Sequence, residues 1–439
     1  MDELLSNCSN IPFCASPWAE GVLGANGEYR VCAKLPPLFS LDWRELGLEN
    51  TFNSTEMQNI REMMIKGEIP HANCQTCIDT NTVRPLNAIL KRAVFIAINE
   101  LKKIDESIDY SELNSIFEHL KLKNWDEDAK EQIEKTRSKC SALSIDHPEL
   151  TGYLDKLLKV LLICESFLKR DLVVPVIASM RQVSLKSKCN ARCIHCPGLF
   201  AGWINSDLEL NEKYYDEAFS HIDDITDFFM NGAEYLFVKN WKNISERLRD
   251  AHVKTAISTN GILLTKSNIK HLIDYECMDS LNISLDGGTK ETIESIRVGL
   301  NFDILMRNLT FLFQYAYEKK YQFMLSFSFV MMKQNYSELP ELIKMISELK
   351  YSVSPDNLYP TVCFGCSTLD HDNIPGYNEF VSEQSHDLIE NSELQDIFVK
   401  CQEYCDMYNV KLGVLRDYGI NSFINAGFPL PTRAPHHRN

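Results

Sequence analysis

Apolar positions change their rhythm along the chain. Between about 85 and 175, Leu86, Ile89, Leu90, Ala93, Val94, Ala97, Ile98 and Leu101 recur at helical spacing, and neither Gly nor Pro interrupts 86–147. This zone predicts helices. From about 178 to 367, short apolar runs alternate with amphipathic stretches. The runs at 182–186, 227–230, 254–258, 280–284, 322–331 and 358–363 predict strands, and those at 245–251, 267–275, 302–319 and 336–349 predict helices. Alternation of this kind predicts an α/β fold with a parallel sheet built from βα units. Up to about 84 the chain is irregular and rich in turn residues. Beyond 368 it is mixed, and the end from Pro429, with its prolines and adjacent His436 and His437, is expected to fray. Four zones follow: 1–84, 85–177, 178–367 and 368–439. The helical zone is expected to be a scaffold insertion and the last zone a C-terminal extension.

Composition narrows the class. The 439 residues are 44% hydrophobic, enough to bury a large core without disulfide staples. Lys and Arg number 45 against 61 Asp and Glu, a formal charge of −16, which disfavours a nucleic-acid partner. The start, Met1-Asp2-Glu3-Leu4-Leu5, is acidic and has no apolar signal core. No apolar run approaches the length of a membrane span. The 15 cysteines are an odd number, which fits metal or redox thiols in a reducing cytoplasm better than a disulfide framework.

The densest chemistry is Cys189-Asn190-Ala191-Arg192-Cys193-Ile194-His195-Cys196, directly after the first strand of the alternating zone. Three thiolates in so tight a loop can wrap three corners of a cubane cluster and leave the fourth iron open to a ligand. Soft thiolates select iron–sulfur clusters or zinc, and His195 offers a fourth zinc ligand, though its spacing sets it beside its neighbours rather than opposite them. A chance grouping of buried cysteines is the plain alternative.

With the motifs that follow it, this loop resembles the radical S-adenosylmethionine superfamily from Val183 to Cys363. The family's Cys-x3-Cys-x2-Cys loop matches Cys189, Cys193 and Cys196, which the resemblance makes ligands of a core [4Fe–4S] cluster. His195 stands where the family usually has an aromatic residue touching adenine. Asn231-Gly232-Ala233-Glu234-Tyr235 takes the place of Gly-Gly-Glu-Pro, keeping Gly232 and the carboxylate of Glu234 for the methionine ammonium, while Ala233 and Tyr235 depart from the pattern. Ser258-Thr259-Asn260-Gly261 follows the third strand and implies ribose and methionine contacts at Ser258 and Asn260. Ser284-Leu285-Asp286-Gly287 follows the fourth, adding Asp286 to the cofactor set. The resemblance makes Ser284 and Arg297 candidates for the cofactor carboxylate. The implied fold is a partial, six-stranded βα barrel, with its site at the strand C-termini.

A second cysteine set lies in the first zone: Cys14, Pro17-Trp18, Gly27, Cys32 and Cys74-Gln75-Thr76-Cys77. Tetrahedral zinc suits these four cysteines as well as a cluster does. The spacing resembles the first half of a SPASM domain, in the shortened "twitch" form and at the N-terminus. That resemblance implies a second, auxiliary [4Fe–4S] cluster on Cys14, Cys32, Cys74 and Cys77, suited to electron transfer. Of the other cysteines, Cys363 and Cys366 are expected at the end of the last strand. Facing the mouth of the site there, they are weak candidates to donate hydrogen or bind metal, with plain loop cysteines as the ordinary reading. Cys164 and Cys277 read as core.

The resemblance implies an enzyme that cleaves S-adenosylmethionine reductively and abstracts hydrogen from a substrate. That substrate is a peptide or protein, or a small carbohydrate-like molecule. An electron donor such as flavodoxin or ferredoxin is the expected partner, without nucleic acid or membrane. The rival expectation is a non-catalytic metal-binding protein with a degenerate core, to which Ala233, Tyr235 and His195 lend support.

Overall fold

The computed structural model describes residues 14–32, 35–79, 127–177, 180–231, 233–354, 359–369 and 374–414, with scattered positions between 89 and 115. Its centre is a nine-stranded sheet. The strands are β1 (Glu20–Leu23), β2 (Tyr29–Arg30), β3 (Met180–Ser184), β5 (Asp227–Asn231), β6 (Lys254–Thr259), β7 (Ser280–Ser284), β9 (Met324–Met331), β10 (Thr361–Thr368) and β11 (Lys411–Val414). A separate two-stranded ribbon joins β4 (Arg192–Cys193) to β8 (Arg297–Val298). The large sheet runs β11-β10-β9-β7-β6-β5-β3-β1-β2, and only the β1–β2 pairing is antiparallel. The fold is therefore α/β with a mostly parallel sheet, as the alternating zone predicts.

Six of these strands match the six apolar runs, with β3, expected at 182–186, starting two residues earlier at Met180. The last expected strand, at 358–363, is β10 and continues to Thr368. Two more parallel strands come from outside the alternating zone. β1 pairs with β3, Glu20 opposite Met180, and β11 pairs with β10, Cys363 opposite Lys411. Both are four residues long, too short for periodicity to reveal them.

The intervening helices start where side chains cap them. Thr265 accepts from Asn268 N ahead of helix Lys266–Asp274, Thr289 from Thr292 N ahead of Lys290–Ile296, and Asn301 from Ile304 N ahead of Phe302–Lys319. Pro340 sits in the first turn of Leu339–Val353, where its missing N–H costs nothing.

In the helical zone, Ile89, Val94, Ile98 and Leu101 are helical and buried, while Leu86, Leu90, Ala93 and Ala97 lie outside the described residues. Helices Glu127–Asp146 and Thr151–Lys169 pack on each other. The second also touches both neighbouring zones. Trp18 donates its indole N–H to Asp171 O at 2.9 Å and meets Phe167 edge-on, and Lys156 Nζ donates to Ile222 O and Ile225 O at 3.0 and 2.7 Å. Arg61, wholly buried, clamps the first zone by donating to Pro17 O, Phe52 O and Leu172 O. One continuous apolar cluster consequently extends from Ala15 to Val410. Among the described residues no helix is long and apolar enough to cross a membrane. His436 and His437 lie outside the described residues.

Candidate functional site

The loops leaving β3, β5, β6 and β7 emerge at the C-terminal edge of the parallel sheet, where α/β folds assemble their sites. The loop after β3 carries the cysteine triplet. Cys189 N donates to Asn205 Oδ1 at 3.0 Å, Cys196 N returns to Cys193 O at 3.0 Å, and the short helix Pro197–Phe200 follows at once. The ribbon β4–β8 sets Cys193 opposite Arg297. All three thiols are half-buried.

Two of the three sulfurs face N–H donors. Cys189 Sγ accepts from Ala191 N at 3.4 Å and has Asn260 Nδ2 at 4.0 Å, while Cys193 Sγ accepts from Arg297 Nη1 at 3.4 Å. Donors aimed at sulfur suit a metal-bound thiolate. Burial pushes the Cys193 thiol up to about 11 and raises that of Cys189. Among the described residues no three His, Cys, Asp or Glu groups stand close enough to hold one metal ion.

Glu234, 1% exposed, joins the loops after β5 and β6. Its Oε1 accepts from Thr259 Oγ1 at 2.7 Å and its Oε2 from Asn260 N at 2.9 Å. Burial raises its pKa, and these hydrogen bonds work against the rise. Leu236 N also hydrogen-bonds this carboxylate, which leaves it one acceptor site for an incoming ammonium. Asn260 also reaches the triplet loop, with Nδ2 donating to Asn190 Oδ1 at 2.7 Å. Gly261 turns the chain at φ +84, and a Cβ there would lie 2.5 Å from Leu305 Cδ1, so the turn requires glycine. Gly232 lies outside the described residues.

A second group forms around Asp286, which is fully buried. Its Oδ2 makes ion-pair contacts with Arg297 Nη2 at 2.7 Å and His195 Nε2 at 3.5 Å. Its Oδ1 accepts from Val330 N at 2.8 Å. Burial lowers the His195 pKa, with Asp286 pulling the other way. Burial also opposes the charge on Arg297, but Asp286 and Cys193 outweigh it and hold the guanidinium's pKa up. His195 Nδ1 and Arg297 Nε are buried and have no hydrogen-bond partner. Orphaned polar atoms beside a thiol triplet fit a site that a polar ligand and a cluster complete.

Ser258 and Ser284 sit elsewhere, in a neutral polar ladder across β6, β7 and β9. Asn282 Nδ2 donates to Ser258 Oγ at 3.3 Å and Ser328 Oγ at 3.1 Å, Ser326 Oγ donates to Asn282 Oδ1 at 2.9 Å, and Ser328 Oγ lies 3.3 Å from Ser284 Oγ. Asn282, Ser326 and Ser328 are absent from the sequence reading because mid-strand polar residues carry no motif. Asn335 belongs to the strand-to-helix stretch Met332-Lys333-Gln334-Asn335, which also resembles the radical S-adenosylmethionine pattern. Wholly buried, it donates to Asp286 O at 2.9 Å and accepts from Met332 N at 2.7 Å.

Cys363 and Cys366 lie within β10, not beyond it. Three residues apart on a strand, they point to opposite faces. Cys363 pairs in register with Ser326 on the ladder face, and Cys366 with Phe329 on the helix-covered face. Burial lifts both thiols to about 12. Cys164 and Cys277 are buried in the core, as expected.

In the first zone, Cys74 and Cys77 share one face of helix Ala72–Asp79. Burial lifts the Cys74 thiol to about 11, with Cys14 and Cys77 close enough to raise it further. Cys32 follows β2 and is half-buried.

Residues 183–346 match the model of the radical SAM superfamily. This stretch is a radical SAM domain. It spans β3 to β9 with the triplet, Glu234, Asn260, Asp286 and Arg297, and the superfamily implies a [4Fe–4S] cluster and S-adenosylmethionine. The mycofactocin maturase MftC of Mycobacterium tuberculosis is 25% identical over 175 residues, 39% of this chain and 43% of that protein. A second strain's MftC matches equally. The chain thus spans less than half the length of these curated relatives. Among solved structures, Streptococcus suis SuiB bound to S-adenosylmethionine aligns at TM-score 0.43 with 13% identity, covering 65% of this chain and 62% of that one. SuiB bound to precursor peptide SuiA aligns at 0.42 with 14% identity, covering 63% and 56%.

Proposed function

We propose that this protein is a radical SAM enzyme that cleaves S-adenosylmethionine reductively and abstracts hydrogen from a peptide or protein substrate. The observation that carries this is the convergence on one cysteine triplet of an Arg297 donor, an Asn260 amide and the buried Glu234 carboxylate. Cys189, Cys193 and Cys196 would hold a [4Fe–4S] cluster, and S-adenosylmethionine would take its open iron. Together these groups supply a one-electron route to a 5′-deoxyadenosyl radical able to attack an unreactive C–H bond.

The chain's own residues do the rest. Glu234, fixed by Thr259 and Asn260, receives the methionine ammonium as a charge-assisted contact. His195 offers a flat, buried ring and an unpartnered Nδ1 to the adenine. Ser258, on the hydroxyl ladder, would serve the ribose side, and Ser284 the methionine carboxylate. The likeness to a maturase favours a peptide substrate over a carbohydrate-like one. Cys14, Cys32, Cys74 and Cys77 would hold an auxiliary cluster that accepts the substrate electron, with flavodoxin or ferredoxin as donor in a reducing cytoplasm. The zones 1–84, 85–177, 178–367 and 368–439 then act as cluster module, scaffold, catalytic core and extension.

Anaerobic reconstitution tests this. The expected result is about eight irons per chain, with 5′-deoxyadenosine formed under dithionite. Cys193→Ala should abolish deoxyadenosine, and Cys74→Ala should remove about four irons and leave cleavage intact. Bound zinc without deoxyadenosine would establish a non-catalytic metal protein instead.

A further inference from the structure

The ribbon β4–β8 does more than close the triplet loop. Cys193 and Arg297 face each other in register, and Ile194 N donates to Ile296 O at 3.0 Å. Beyond Arg297, Gly299 at φ +93 brings the chain against Asn190 O, 3.0 Å from where a Cβ would stand. The Arg297 side chain is thus delivered by backbone pairing to one cysteine of the triplet.

Its far end is fixed as well. Nη1 donates to Cys193 Sγ at 3.4 Å while Nη2 contacts Asp286 Oδ2 at 2.7 Å. Asp286 is itself immobilised, with Oδ1 taken by Val330 N and its main-chain carbonyl by the Asn335 amide. Arg297 is 7% exposed and Asp286 0%, so water screens this charge pair little. Two of the three guanidinium nitrogens are therefore engaged by the cysteine and its brace, and Nε is buried without a partner. This geometry differs from a fork aimed at a cofactor carboxylate.

We propose that Arg297, braced by Asp286, is a positioning residue for the metal centre of the triplet and raises its reduction potential through the hydrogen bond to Cys193. The proposal rests on the reading of the triplet as a [4Fe–4S] site. Reduction adds one negative charge to a thiolate-bound cluster. A fixed cation donating to one of those thiolates stabilises the reduced state more than the oxidised one, because hydrogen bonds to sulfur and local charge set cluster potentials. Asp286 tempers this field while preventing the guanidinium from swinging out to water.

The test is an EPR-monitored redox titration of the reconstituted full chain without S-adenosylmethionine, following the signal that Cys189→Ala removes. Arg297→Gln, with wild-type iron content, should lower the reduced-to-oxidised ratio at a given potential tenfold or more, equivalent to 59 mV for one electron. Arg297→Lys should shift it less in the same direction, since a lysine keeps the charge but not the fork. Asp286→Asn, which removes the charge that tempers Arg297 but keeps an amide oxygen to hold it, should raise the midpoint. If Arg297→Gln fails to hold iron, Arg297→Lys and Asp286→Asn decide. An unchanged midpoint in every variant that holds iron overturns the proposal while leaving the family reading intact. A wild-type chain that takes up no iron at the triplet overturns both.

Discussion

Thr259 Oγ1, at the end of β6, donates to Glu234 Oε1 in the loop that follows β5 at 2.7 Å, in a setting where the carboxylate is 1% exposed. A hydrogen bond to a buried charged group contributes about 1.5–3 kcal/mol. Thr259→Val should lower stability by that amount, read from urea unfolding midpoints. Glu234→Gln should keep the fold, since an amide oxygen can still accept from Asn260 N. It should weaken S-adenosylmethionine binding about 10–100-fold, measured by calorimetry on the reconstituted protein.

Lys156 gives a pH signature. Burial lowers its pKa to about 8. The unfolded chain holds a proton on this lysine up to its ordinary pKa of about 10.4. Between these values the unfolded state binds more protons, so stability rises with pH through that window and levels off above it. The span corresponds to about 3 kcal/mol. Lys156→Met should remove that segment of the stability–pH curve while leaving Ile222 O and Ile225 O without their donor. Subtracting the two curves isolates the lysine, and a difference that stays flat from pH 8 to 10 would contradict its folded pKa.

Arg61 concentrates the anchoring of the first zone. Arg61→Ala leaves the carbonyls of Pro17, Phe52 and Leu172 without their shared donor. Each unsatisfied buried acceptor costs about 1–3 kcal/mol. The expected outcome is early proteolytic cutting within the first zone before the sheet is attacked, visible by mass mapping of a timed digest.

The two β10 cysteines should respond differently to serine. Cys363 belongs to the ladder face beside Ser326, so Cys363→Ser should cost under about 1 kcal/mol. Cys366 lies against apolar side chains, and Cys366→Ser should cost about 1–3 kcal/mol. Equal costs would contradict their opposite orientation. Both variants should still form deoxyadenosine.

The sequence showed the core where strand and helix signals were local. Helix Phe302–Lys319 was readable to the residue because Asn301 caps its start and Lys320 ends it in the left-handed conformation. The triplet was readable because its three ligands lie within eight residues. β1 and β11 were hidden because strands of four residues, buried or at an edge, leave too few positions to alternate. β10 was cut short because Phe364, Gly365 and Cys366 resemble a turn until neighbouring β9 extends them. The Arg297–Asp286 pair was half-visible: both residues sat in recognised motifs, but nothing local told that each would engage the other. That contact is made by the β4–β8 ribbon, whose two-residue strands have no periodic signature.

The pairing of Glu20 with Met180 also has a consequence in time. During synthesis at roughly 5–20 residues per second, β1 leaves the ribosome many seconds before β3 exists to receive it. Until then Cys14, Cys32, Cys74 and Cys77 belong to a segment with no sheet to rest on. Their surroundings are complete only after the helical zone has been made and β3 has emerged. The segment translated first is thus completed late, once chain about 160 residues downstream of β1 has been made.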